Sequence, residues 1–132
     1  NYCKTLNIEA LTMLEMSKRS MLPAVMEYTK TITDTLFAKQ SISIEISNLC
    51  EKELVIKLSQ IANEISKTTN VLENMLNNIK NYEDIQQEAD YYKNEIIPAM
   101  DNLRKACDEA ETLVSDKYWP YPSYGELLFS VQ

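Results

Sequence analysis

From Leu54 to Tyr82 the chain repeats one pattern: Leu54, Leu58, Ile61, Ile65, Thr68, Leu72, Met75, Ile79 and Tyr82 alternate four and three residues apart. A strand would need every second residue, whereas a helix of 3.6 residues per turn lines such positions along one stripe. A stripe of this kind selects neighbours that cross at about 20°, as in coiled coils and helix bundles. Asn63, Glu64, Lys67, Asn70, Glu73 and Asn74 fall on other faces and read as solvated positions.

The same spacing recurs downstream in Ile85, Ala89, Tyr92, Ile96, Ala99, Leu103, Ala106, Ala110 and Leu113. Alanines fill its later half and let a partner approach closely. Upstream, Ile8, Leu11, Leu14, Leu22, Val25, Ile32 and Leu36 recur at three, four or their sums, with Met13, Met16, Met21 and Met26 thickening the face. Pro23 and Pro98 interrupt the first and third patterns, and the sequence around them echoes: MLPAVM and IIPAM. Because the period continues past each proline, kinked helices are expected rather than breaks. A single glycine in 132 residues agrees with helix over sheet.

The expected fold is all-α: an antiparallel three-helix bundle of long, proline-kinked helices over about residues 2–38, 49–81 and 84–117, with an extended aromatic tail over 118–132. One domain spans the whole chain. The alternation SISIEIS has no second strand to pair with and reads as a connection or an early turn of the next helix. Asn48 and Glu51 fit a capping box at the start of the second helix. Asn77, Asn78, Asn81 and Asp84 weaken the helix where a turn is needed.

Composition excludes several functions. A net charge of −7, with Arg19 and Arg104 the only arginines, offers no basic tract for nucleic acid. No apolar run reaches the ~18 residues of a membrane span, no signal peptide opens the chain, and a cytosolic protein is expected. Cys3, Cys50 and Cys107 are odd in number and widely spaced, and the chain has no histidine. They read as small buried hydrophobes, not as a disulfide framework or a zinc site.

Glu83, Asp84, Glu88, Asp90, Asp108, Glu109 and Glu111 follow polar helix faces, no serine or threonine has a histidine to activate it, and no glycine loop could cradle phosphate. No residue is therefore assigned a catalytic, cofactor-binding or metal-binding role.

The last stretch, DKYWPYPSYGELLFSVQ, differs from everything before it. Pro120 and Pro122 fix φ and remove two backbone donors, so this stretch is extended or turning. Trp119, Pro120, Tyr121, Pro122, Tyr124, Leu127, Leu128 and Phe129 form a candidate packing or interface segment, since such apolar surface needs a partner. It either closes the domain's own core or reaches a neighbouring subunit.

Three runs, NIEALTMLEMSKRSMLPAVMEY, IIPAMDNLRKACDEAETLV and WPYPSYGELLF, resemble in this order the C-terminal domain of type III glutamine synthetases. The middle of the chain matches only as helical pattern. The resemblance implies a C-terminal fragment of an ATP-dependent glutamate–ammonia ligase assisted by magnesium or manganese. Its nucleotide, metal and glutamate sites would lie in a catalytic portion upstream of Asn1. The implied partners are that portion and other subunits of a homo-oligomer. An asparagine at position 1 agrees with an excised piece. The competing reading is a free-standing acidic helical module that binds a partner helix along its Met-rich or Ala-rich face. A small metal-dependent enzyme is the third.

Overall fold

The computed structural model describes residues 2–79 and 81–122. Among them every regular element is helical and no strand occurs. Helix α1 (Tyr2–Met16) runs through a π-helical turn (Ser17–Met21) into α2 (Leu22–Ile42). Helix α3 (Leu49–Asn77) returns. Helix α4 (Ile85–Tyr91) then passes through a second π-helical turn (Tyr92–Ile96) into α5 (Ile97–Leu113).

Each π-turn stands immediately before a proline pair, Leu22–Pro23 or Ile97–Pro98. Proline offers no N–H to the carbonyl four residues back, and its ring collides with that carbonyl. The preceding turn widens instead. The Leu22 N–H reaches the Ser17 carbonyl, and the Ile97 N–H reaches that of Tyr92, five residues back in both cases. The helix continues through the proline with its face rotated by one residue.

Helix α3 packs against both α2 and α5, and α1 packs against α3. The stripe read from the sequence faces this core: Leu58, Ile61, Ile65, Thr68 and Leu72 are buried, and Leu54, Met75 and Ile79 pack at its edge. Each fully buried Leu or Ile contributes about 1.5–3 kcal/mol. Thr68 is satisfied within its own helix, its Oγ1 donating to the Glu64 carbonyl at 2.7 Å. Its neighbour Thr69 meets Ser17 from the first π-turn, hydroxyl to hydroxyl at 3.0 Å, in a buried contact between helices. From α5 and the turn before it come Ile96, Ala99, Met100, Leu103, Ala106, Cys107 and Ala110, all buried.

Several positions depart from expectation. Ile8 and Leu11 are exposed, because the inward face of α1 is made by Cys3, Ala10 and Leu14, leading to Ser17. Small residues mark that face better than large ones do. Ile85 is also exposed, at the very start of α4. Lys39–Ile42 belong to the end of α2, so the alternating SISIEIS stretch is divided between that helix and a turn.

The capping box at Asn48 does not form. The Asn48 side chain makes no capping bond, and its buried Oδ1 has no partner among the described residues. Glu51 turns to Lys39 instead, accepting from Nζ at 2.7 Å and tying the end of α2 to the start of α3. The Lys39 hydrogen bond holds the Glu51 carboxyl below its ordinary range. This contribution to stability is present above the ordinary carboxylate pKa and is lost as pH falls through the lowered one. Asp84 does cap: its Oδ1 accepts from the Gln86 N–H at 2.9 Å and starts α4.

Candidate functional site: the aromatic segment after the last helix

Helix α5 stops at Leu113. Val114 still donates its N–H to the Ala110 carbonyl at 2.9 Å but is itself extended, with ψ 135°. A tight turn follows. The Ser115 carbonyl accepts from the N–H of Tyr118 at 2.9 Å and of Trp119 at 3.1 Å, and Ser115 Oγ accepts from the Lys117 N–H at 3.3 Å. One serine thereby satisfies three donors that would otherwise be left open beyond the helix end.

This turn directs two aromatic side chains onto the body of the fold. Trp119 is 9% exposed and belongs to the core, while Tyr118 lies against α2. The Tyr118 and Thr31 hydroxyls are 2.8 Å apart, and the Tyr28 and Tyr118 rings are tilted by 49° with centroids 5.4 Å apart. Lys117 Nζ stands over the Tyr118 ring, 6.0 Å from its centroid. Tyr121 is half-buried against the core, and Pro120 and Pro122 are exposed. Tyr124, Leu127, Leu128 and Phe129 lie outside the described residues. The candidate segment read from the sequence includes Trp119 and Tyr121 but not Tyr118, nor Tyr28 and Thr31, which carry no signal beyond a polar tip on a half-buried face.

Elsewhere, chemistry-bearing side chains stay dispersed. Among the described residues no three of His, Cys, Asp or Glu come together in a group able to hold a metal ion. Asp84 is spent on the cap, Asp90 accepts from Gln86, and Asp108, Glu109 and Glu83 are exposed. An open cleft of about 720 Å³ between α3 and α5 has Lys57, Glu64, Lys105 and Glu109 on its walls. A smaller one of about 160 Å³ is lined by Met13, Met16, Met21, Leu103 and Cys107. No helix of the described residues is long and apolar enough to cross a membrane.

The cysteines differ from one another. Cys3 and Cys107 are buried, as a small hydrophobe should be, whereas Cys50 is exposed near the start of α3, against expectation. Burial pushes the Cys107 thiol up to about 11 from its ordinary 9.0, and it raises Cys3, Tyr91 and Tyr92 as well. A raised thiol pKa means the folded state holds its proton longer than the unfolded chain does. The stabilisation is complete below the ordinary value and lost as pH climbs through the raised one. The urea midpoint should therefore fall between about pH 9 and 11, and Cys107→Ala should flatten that fall. An equally steep fall in the variant would remove Cys107 from the account.

The family model described as the glutamine synthetase C-terminal domain matches residues 1–40. Across 100% of the chain, the glutamine synthetase of Butyrivibrio fibrisolvens is 34% identical over 134 residues. The type-3 glutamine synthetase of Dictyostelium discoideum is 28% identical over 97% of the chain, and the glutamine synthetase of Bacteroides fragilis 22% over 98%. The matches cover 19%, 18% and 18% of those proteins, so the chain spans about a fifth of their length.

Proposed function

We propose, on the premise that this chain belongs to the glutamine synthetase C-terminal domains, that its task is mechanical: it folds as a buttress for the longer polypeptide and supports assembly of its subunits. The relatives are far longer than the stretch they share with it, which disfavours a free-standing module. The parent would be an ATP-dependent glutamate–ammonia ligase, working in the cytoplasm with magnesium or manganese. The donor set of this chain does not suit those groups: it has no histidine, and among the described residues no three of its Asp, Glu or Cys side chains come together. We therefore place nucleotide and metal in the catalytic portion outside this chain.

In this reading the three helical stretches form an antiparallel bundle bent at Pro23 and Pro98, in one domain. The aromatic segment is its latch, with Trp119, Pro120, Tyr121 and Pro122 closing the end of the domain's own core. Tyr124, Leu127, Leu128 and Phe129 continue that role on the same subunit or a neighbour. The observation that carries the proposal is the burial of Trp119 together with the bond between Tyr118 and Thr31. Termination after Lys117 in the full-length protein tests it. Loss of assembly mass or solubility is expected. Unchanged mass, solubility and glutamine-forming activity would remove the assembly role.

A further inference from the structure

Helix α1, the first π-turn and α5 enclose a small cavity whose walls are rich in sulfur. It holds about 160 Å³ and is lined by Met13, Met16, Met21, Leu103 and Cys107, with the exposed Arg104 and Asp108 at its rim. The π-turn is what brings the methionines together. In an unbroken α-helix Met16 and Met21, five residues apart, would lie about 140° from one another around the axis. The bond from the Leu22 N–H to the Ser17 carbonyl makes five residues one full turn, so Met21 comes to stand over Met16. Met13, three residues before Met16, lies on the same side of α1.

We propose that this cavity is a binding site for a small neutral aromatic molecule of about one ring. Size, charge and wall chemistry each select that class. An apolar cavity of roughly 150 Å³ stays dry and admits benzene, and this one is of that size. Its inner wall carries no charge, because burial pushes the Cys107 thiol up to about 11 and so keeps it protonated near neutral pH. At the rim the Arg104 guanidinium is paired with Asp101 at 2.8 Å, and Asp108 bears the opposite charge, so neither an anion nor a cation is favoured. Water inside would meet only one thiol and weakly accepting thioethers. Thioether sulfur is polarisable, fits irregular shapes and gains from contact with an aromatic ring what a saturated ring does not offer. Arg104 Nη2 donates to Met13 Sδ at 3.9 Å, tying α5 to α1 at the mouth, and this exposed side chain is the movable part of the wall.

Oxidation of methionine to its sulfoxide reports on the site directly. In the full-length protein treated with dilute hydrogen peroxide, toluene at about ten times its half-protecting concentration should slow sulfoxide formation at Met13, Met16 and Met21 about tenfold. Peptide mass spectrometry reads each position. Met26, exposed on α2, should react at an unchanged rate. Cyclohexane at the same concentration should protect about threefold less. Met21→Gln keeps the length of the side chain but brings an amide to the wall. It should abolish the protection of Met13 and Met16 while helicity by circular dichroism is kept. No protection by toluene, equal protection of Met26, equal protection by cyclohexane, or protection that survives Met21→Gln would each overturn the proposal. So would resistance of the three methionines before toluene is added, relieved only by urea, since a side chain from elsewhere in the polypeptide would then already fill the cavity.

Discussion

Trp119→Ala should destabilise the 132-residue chain by about 3–5 kcal/mol, the range for removing a buried tryptophan ring. The position makes this large effect specific. Trp119 lies six residues beyond the last α5 residue, held there by the Ser115 turn, and still reaches the core. Removing the indole leaves a cavity at the end of the body, and the short turn cannot relax far enough to fill it. Trp119→Phe keeps most of the buried area and should lose less. Tyr118→Phe deletes only the hydroxyl bonded to Thr31 and should cost about 0.5–1.5 kcal/mol. Urea unfolding with constant m reads all three. A loss below about 1 kcal/mol for Trp119→Ala would mean that the segment lies on the fold without closing it.

The second large effect belongs to α3. Leu58 has no exposed surface, and its replacement by alanine should cost about 2–5 kcal/mol. Leu49, on the same helix but exposed, should lose no more than about 0.5 kcal/mol to alanine in the isolated chain. The two substitutions delete the same atoms from one helix and differ only in what covers them. Equal losses would refute the burial assigned to the α3 stripe.

The stripe was legible because it rests on one physical fact: large apolar side chains repeating at the helical period have to share a face. Leu58, Ile61, Ile65 and Leu72 sit where that rule puts them. In α1 the rule held at Leu14 and failed at Ile8 and Leu11, which are exposed while Cys3 and Ala10 complete the inward face and Ser17 of the next turn continues it. Ser17 is buried against Thr69, over fifty residues away in sequence, the two hydroxyls sharing a hydrogen bond, and local spacing carries no trace of that. Asn48 and Glu51 show the same limit: the residues fit a cap, but Lys39 offers the carboxylate a charged donor and wins it. In the aromatic segment Trp119 is buried while Pro120 and Pro122 are exposed, a difference that residue type alone does not give. The Tyr28 and Thr31 surface that receives Tyr118 emerges only once α2 and the Ser115 turn are placed together.

The wide turns ahead of Pro23 and Pro98 bear on how such a domain changes in length. Each accommodates one more residue than an α-helical path over the same axial distance. A deletion of one residue there, joined with loss of the proline, tightens the coil to an ordinary helix and returns everything beyond it to its former orientation. The same deletion within α3 turns half of its contacts toward water. A one-residue deletion is accordingly expected to cost least at those two places, which act as expansion joints in otherwise inextensible rods.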